Sequence, residues 1–291
     1  MKLLLKFNLM FVLVFGMGLI ATGYAARQFL RNNARERVLQ EARLMMETTA
    51  STRTYTTKQI KPLLTPREKQ ENTFFPQTVP AYSAGQIFGY LHAKFSDYSY
   101  KEAALNPTNL ANRATDWETD VVTTFRNDRN RQEIIGERDT PTGRTLFLAK
   151  PMKATAACME CHSVPAAAPA AMVRTYGSNN GFGWKVDEII AAQIVTVPMS
   201  VPTQIADKAF VDLLMWFAAI SLISLILLNL ALVIAVIQPV SRMAAAADAI
   251  SKGNLEIVEV PVKGKDEIAV LADSFNRLTR SLSKAMKMLE E

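Results

Sequence analysis

Cysteine and histidine are scarce in this 291-residue chain, with two of each: Cys158, Cys161, His92 and His162. Two cysteines rule out a disulfide framework. A zinc site built on them would have only the remote His92 or carboxylates to add to His162. Basic residues exceed acidic ones, 33 against 27, for a formal net charge of +6, yet no Lys/Arg-rich run occurs. That scatter speaks for a solvated surface and membrane-flanking charge and against nucleic acid as a partner. No acid–base pair or nucleophile constellation stands out, so the sequence does not read as an enzyme.

Hydrophobic residues make up 49% of the chain and concentrate in two blocks. The first, FNLMFVLVFGMGLIATGYAA over 7–26, is uncharged, with Lys2 and Lys6 before it and Arg27 and Arg31 after it. At ~1.5 Å per helical residue it reaches across a ~30 Å hydrocarbon core. A cleaved leader is the competing reading, since Gly23-Tyr24-Ala25 resembles a small-x-small cleavage site, although the apolar run exceeds the usual ~7–15 residues. The second block runs from Phe210 to Ile237, with Asp212 and Trp216 near its edge. Asn229 is its one strongly polar interior residue. Such a side chain is costly against lipid and is expected to hydrogen-bond to a partner helix. Two spans put both chain ends on one side. Lys2, Lys6, Arg242 and Lys252 place that side in the cytoplasm by the positive-inside rule. Arg27, Arg31, Arg35 and Arg37 cut against it, but long domains translocate largely regardless of charge. The expected organisation is 1–26 as cytoplasmic tail and first span, 27–209 as extracytoplasmic domain, 210–237 as second span and 238–291 as a cytoplasmic module, all in a bacterial inner membrane.

Three of the four Cys and His residues fall within five positions, Cys158-Met159-Glu160-Cys161-His162. C-x-x-C-H is the attachment pattern of c-type haem. Each thiol adds across a porphyrin vinyl group, two intervening residues space the sulfurs, and the next residue presents its imidazole to the iron as proximal ligand. The expectation is one covalent haem c outside the cytoplasm, where such attachment takes place. A thioredoxin-type C-x-x-C would need a strand-to-helix context that the Ala/Pro-rich flanks do not suggest, and a plain disulfide would leave His162 unexplained. The sixth iron position stays open at this point. His92, on an expected helix QIFGYLHAKF, is one candidate, and Met45 and Met46, on an amphipathic helix, are others. Met152, Met159 and Met172 lie nearer in sequence, and an exchangeable or vacant position is the remaining possibility.

In the outer domain, Leu30, Val38, Ala42, Met45 and Met46 recur at helical spacing, predicting a long helix over 26–64 that Pro62 and Pro66 end. A second helix is predicted over Ala84 to Phe95. LNPTNLANRATDWE reads as loop, and Asp116 to Asn127 as helix. IIGERDTPTGRTLFLAKPM, residues 134–152, reads as a β-hairpin turning at Pro141 and Gly143, and 188–202 as a last strand. This order predicts a small α+β domain with helices on a sheet. Tyr176, Phe182 and Trp184, near GSNNGFGW, line either a haem pocket or ordinary core.

NPTNLANRATDWE, GERDTPTGRTLFLAKPM, CMECH and NNGFGWK together resemble the family of haem-c-binding, PAS-like sensor domains once catalogued as a domain of unknown function, over most of residues 40–202. The resemblance implies a PAS-like sheet with a single covalent haem, upstream of signalling modules. It implies Cys158 and Cys161 as attachment residues and His162 as iron ligand. It does not fix the distal ligand, and with no third cysteine a distal thiolate is excluded.

After the second span, Val240, Met243, Ala247 and Ile250, and then Ile268, Leu271, Phe275, Leu278, Leu282, Ala285 and Leu289, repeat at spacings of three and four, as in a coiled-coil seam. A connector from Gly253 to Lys265 separates them. With Pro239 after the span, Gly253, Asp266-Glu267 and Phe275-Asn276, this segment resembles a HAMP domain, half of a parallel four-helix bundle. One helix pair cannot bury its seam alone, so a homodimer is expected. No kinase, cyclase or methylation module follows, so the signal is expected to pass to a separate cytoplasmic protein, unless the sequence is a shortened version of a longer receptor. The function expected is a redox or small-ligand haem sensor, with a gas or redox partner as stimulus. The alternative is a membrane-anchored monohaem cytochrome for electron transfer.

Overall fold

The computed structural model describes residues 3–252, 259–261 and 264–290. Arg27–Ala209 forms one compact unit, and Met1–Ala26 with Phe210–Glu291 another.

Helix α1, Leu3–Tyr55, is unbroken through the first apolar block. From Arg27 onward it lies across the sheet. Val38, Leu39, Ala42 and Met46, at helical spacing, are buried against Leu146, Leu148, Val195 and Val197. The helix does not stop at Pro62, as its sequence suggests. A π-helical turn over Thr56–Ile60 leads into α2, Lys61–Glu71, with Pro62 in its first turn and Pro66 inside it. A proline lacks the N–H that a helix interior uses but is tolerated in a first turn, and the wide π turn restarts the helix there. Asn72, at φ 48°, ends α2 in the left-handed region that asparagine tolerates.

Helix α3, Pro80–Lys94, starts four residues before the predicted Ala84, with proline again in the first turn. Strand β1, Ser99–Ala104, follows, in a stretch whose sequence carries no strand pattern. Helix α4, Asp116–Asn127, matches its prediction. Its start is set by a capping box between Thr115 and Glu118. Strands β2, Ile134–Thr140, and β3, Gly143–Lys153, form the predicted hairpin. Gly143, at φ 120°, supplies the turn backbone that a side chain would resist. Short helices α5, Met159–His162, and α6, Ala170–Tyr176, precede β4, Ile189–Pro198.

The four strands form one antiparallel sheet in the order β1-β4-β3-β2. The domain is therefore α+β, with α1 on one face. On the other, Val121, Val122 and Phe125 of α4 pack on Ala103, Ala149, Ala192 and Ile194. Buried Glu102 of β1 is paired with Arg53 of α1 and accepts a hydrogen bond from Tyr100, which in turn accepts from Gln193. Burial, then Glu102, pushes the Tyr100 phenol far above its usual range. The hydroxyl thus remains a neutral donor and the buried carboxylate keeps its partners.

In the second unit, α7, Ser200–Leu232, a π turn over Val233–Ile237 and α8, Gln238–Ser251, follow in sequence, and α9 is Glu267–Glu290. Two helical stretches, one in each apolar block, are long and apolar enough to cross a membrane. Their apolar side chains, among them Leu9, Ile20, Ile223 and Leu230, are exposed, as a lipid-facing surface requires. Asn229 meets its expected partner. Its amide donates to Asn8 Oδ1 at 2.7 Å, and the Asn8 amide donates back to Asn229 Oδ1 at 3.0 Å. In the C-terminal module, Met243 of α8, Val260 and Ala272 of α9 share a small core. Asn276 grips Val260 on both backbone groups, accepting from its N–H at 3.0 Å and donating to its carbonyl at 2.9 Å. Most of the predicted connector, residues 253–258 and 262–263, lies outside the described residues.

Asn229→Leu should weaken pairing of the two apolar helices by about 0.6 to 2 kcal/mol. Cysteines placed by Gly23→Cys and Leu214→Cys, where a Cβ added at Gly23 would stand 3.6 Å from the Leu214 side chain, should crosslink less in the Asn229→Leu background than with Asn229 present.

Candidate haem site

The end of β3 positions the attachment segment. Ala154 follows the strand and is tied by a backbone hydrogen bond to Glu188, ahead of β4. Thr155 then opens a single 3₁₀ turn, Ala156–Cys158, which runs into α5. The Thr155 N–H points at Cys158 Sγ at 3.4 Å. Helical backbone through the segment separates Cys158 and Cys161 by about one turn. Neither is in a disulfide. Burial, reinforced by Glu160 and opposed by Lys61, pushes the Cys161 thiol above its usual range.

The imidazole of His162 is held from two directions. Nδ1 lies 2.7 Å from the carbonyl oxygen of Gly181, which can only accept. Nδ1 therefore carries the proton and Nε2 carries a lone pair. The ring stacks on Trp184, with centroids 3.9 Å apart and planes 15° from parallel. A face-on neighbour fixes the ring plane and leaves its edge, with Nε2, as the reactive position. Burial pushes the His162 pKa below 6.5, against a smaller opposing effect of the Gly181 bond. Orientation by a backbone carbonyl and a neutral ring are what a metal-ligating histidine needs.

The loop that supplies the carbonyl is itself fixed. Gly181 has φ 81°, and an added Cβ would fall 2.0 Å from Thr108 Oγ1 and 2.8 Å from Thr108 Cα. The Asn106 side chain accepts from the Gly181 N–H at 3.0 Å and donates to the Phe182 carbonyl at 3.2 Å. Trp184 and Gly183 donate backbone hydrogen bonds to His162 and Ser163. The motifs NPTN and NNGFGW, far apart in sequence, thus form one clamp on His162. Met152, Met159, Cys158 and Trp184 pack with Ala104, Ala154, Ile190 and Ala191 beside it.

Helix α2 also reaches the segment. Lys61 Nζ lies 3.8 Å from Glu160 Oε2, inside the C-x-x-C-H segment. Phe74, just beyond α2, meets Tyr176 edge-on at 5.9 Å. Of the three aromatic residues that the sequence sets near the motif, Trp184 contacts His162 directly, Tyr176 packs on Phe74, and Phe182 contributes its backbone carbonyl. The contribution of α2 is hidden in the sequence, because Pro62 looks like a helix stop.

Of the distal candidates, His92, Met45 and Met46 are not brought to this site. His92 is exposed and its Nδ1 bonds the carbonyl of Tyr98 at 2.8 Å, ahead of β1. Ala104, which packs with Cys158, is six residues further on, about 20 Å along the strand. Met46 is buried and Met45 half-buried in the core between α1 and the sheet. Met172 is buried in α6. Met152 and Met159 are the methionines packed beside Cys158.

An α+β domain bearing a helical C-x-x-C-H segment, set in the chain between two long apolar helices and followed by a helix-pair module, defines a sensor-type receptor architecture. The chain belongs to the Tll0287-like family, whose model matches residues 31–198, and a HAMP domain matches residues 231–284. A HAMP module with a sensor-type domain points to signalling rather than catalysis. Among solved structures, the chain is similar to the cyanobacterial heme-protein Tll0287 at 16% identity and a TM-score of 0.42, over 55% of this chain and 94% of that one. None of the curated proteins matches it.

Gly181→Ala should destabilise the domain by about 1–3 kcal/mol, since alanine resists a positive φ and meets Thr108. Thermal unfolding measures that loss, and the His162 environment should change with it. For the chain before any metal is bound, the lowered His162 pKa sets a pH trend. The unfolded state takes up a proton as pH falls through about 6.5 while the folded state resists, so stability is full above that pH and declines below it. Urea unfolding between pH 7 and pH 5 should show a steeper loss for the native chain than for His162→Gln.

Proposed function

We propose that the chain is a membrane-bound haem-c sensor, responding to redox state or a small ligand and signalling through its HAMP domain to a separate cytoplasmic partner. Cys158 and Cys161 are the thioether residues, and His162 is the proximal iron ligand through Nε2. The observation that carries this reading is the 2.7 Å bond from His162 Nδ1–H to the Gly181 carbonyl, which leaves Nε2 as the available donor in a segment that carries two free cysteines about one turn apart. Membership of a family that shares its name with the heme-protein Tll0287 agrees with it. Bound haem supplies an iron whose oxidation state and sixth ligand can change.

In this reading the protein's own groups do the rest. Trp184 holds the imidazole plane, and Gly181 holds its tautomer. The Met152, Met159 and Ala191 surface keeps water from one side of the site. Residues 27–209 form the periplasmic domain, 1–26 and 210–237 carry the two spans, and 238–291 is the HAMP domain, with both termini in the cytoplasm of a bacterial cell. A stimulus acts to the extent that it binds or stabilises one packing of the domain better than another. HAMP bundles from two copies form the homodimer, and a bundle with two near-equal packings is the switch.

The test is the full chain produced in a host that matures c-type cytochromes. The expected result is haem that survives denaturing electrophoresis and is lost in Cys158→Ala/Cys161→Ala, with sharp reduced absorption bands. His162→Gln should retain the thioether haem but lose the native low-energy bands. A native chain without bound haem would overturn the reading. HAMP crosslinking in membranes that is identical for oxidised, reduced and gas-treated protein would leave electron transfer as the function.

A further inference from the structure

A groove of about 310 Å³ lies beside α1 and its π turn, lined by Ala50, Arg53, Thr54, Thr57, Lys58, Pro80 and Gln193. Its lining holds two cations and no acid. The nearby carboxylates are engaged: Glu102 holds Arg53, and Glu47 holds Lys150 at 2.7 Å. Arg53 uses one amino group on Glu102 and, with five N–H donors, has others to offer.

The groove runs toward the C-x-x-C-H segment on two counts. Gln193 and Ala191 are two residues apart on the same face of β4, about 7 Å, and Ala191 packs in the cluster that contains Cys158 and Trp184. On the helical wall, Lys58 lies three residues before Lys61, about 5 Å along the axis, and Lys61 reaches Glu160. The attachment segment therefore lies just beyond the groove's lining, a two-residue step along β4 from Gln193 and one helical turn from Lys58.

A c-type porphyrin has matching ends. It is a flat apolar disc whose vinyl groups, the sites of thioether attachment, lie on one side and whose two propionate carboxylates lie on the opposite edge. Resting on the haem reading above, we propose that this groove receives the carboxylate edge of the porphyrin, with Lys58 and Arg53 as its cationic contacts. Attachment at Cys158 and Cys161 orients that edge away from the segment and along the groove. Lys58 and Arg53 then neutralise it, and charge-assisted bonds of this kind are stronger than neutral ones. A cation beside the carboxylates also disfavours the extra positive charge of ferric iron, so it raises the reduction potential.

The experiment uses the full-length haem-loaded chain in detergent, comparing Lys58→Glu, Lys58→Arg and, as a surface-charge control, Lys94→Glu. Arg53 is left alone, because its ion pair with Glu102 supports the fold. Haem content by pyridine haemochrome is read first. Then come the propionate-bending bands in resonance Raman spectra and the reduction potential, each with and without added succinate. The expected result is unchanged haem content, with shifted propionate bands and a lower potential in Lys58→Glu, native values in Lys58→Arg and in Lys94→Glu, and no effect of succinate. Haem present with unshifted propionate bands in Lys58→Glu would overturn the proposal and leave the haem reading standing. A succinate-dependent shift in the native chain that Lys58→Glu abolishes would mean that the groove takes free carboxylates, and would overturn it too. A native chain without covalent haem would overturn both.

Discussion

The hydrogen bond from His162 Nδ1 to the Gly181 carbonyl ties together parts of the chain that no local rule connects. His162 ends a four-residue helix too short to fix the side chain by itself. Gly181 stands in a left-handed backbone conformation against Thr108, and Asn106 takes the N–H of Gly181 and the carbonyl of Phe182. Remove the glycine geometry and the carbonyl turns away. Remove Asn106 and the loop that carries it loses two of its ties, leaving the Gly183 and Trp184 backbone bonds. The ring tautomer and the separation of the two loops are thus set by one cluster of polar contacts, and the stacked Trp184 sets the ring plane.

A second polar cluster does for α1 what the first does for His162. Arg53, Glu102, Tyr100 and Gln193 are joined across the interface between α1 and the sheet. Burying a charged pair carries a desolvation cost that its attraction offsets only when the remaining lone pairs find donors. Here Tyr100 supplies the donor and Gln193 steadies Tyr100. Apolar packing around Val38, Ala42 and Met46 would allow α1 to slide by a turn with similar burial, whereas the polar cluster accepts one register. Specificity of position, more than stability, is what these charged residues add. That matters because the same stretch of α1, with Ala50, Arg53 and Thr54, forms a wall of the groove that Gln193 also lines.

How far the sequence can be read depends on whether the signal is local. CMECH, the capping box at Thr115 and Glu118, and the Pro141–Gly143 turn are short patterns whose geometry follows from a few adjacent residues, and the chain folds into a helix or a hairpin at each. Asn229 is legible because a lone amide among apolar residues demands a partner. Strand β1 is not legible. Its sequence, SYKEAA, carries Lys101 and Glu102 and looks solvated, but both charges are matched by other elements, Lys101 with Glu118 and Glu102 with Arg53. Pro62 misleads for a similar reason, since the π turn that accommodates it leaves no mark in composition. Met45 and Met46 lie at helical spacing on a face that turns out to be core, and spacing cannot tell a core methionine from one near iron. The clamp on His162 joins residues separated by 19 to 76 positions. Contacts over that distance leave no periodicity to read, so only the family resemblance of NPTN and NNGFGW marks those residues in the sequence.

The C-terminal helix pair shows the same division between what one chain can and cannot bury. Within the chain, α9 turns Ala269, Ala272, Asn276, Thr279 and Ser283 inward, small or polar residues that permit close approach. The larger residues of the predicted seam, Leu271, Leu278 and Leu282, remain 51%, 66% and 44% exposed. A helix that hides alanine and serine while exposing leucine is not at its lowest free energy alone in water, because each leucine left exposed forgoes roughly 1.5–3 kcal/mol of burial. The intrachain contact therefore works as a spacer that fixes the angular position of the leucine stripe, with Asn276 pinning Val260 to it. A second copy bringing the same stripe would complete a four-helix core. In the proposed dimer, a small rotation of α9 would exchange leucine for alanine or serine at that core, so that one sequence would allow two packings of different tightness.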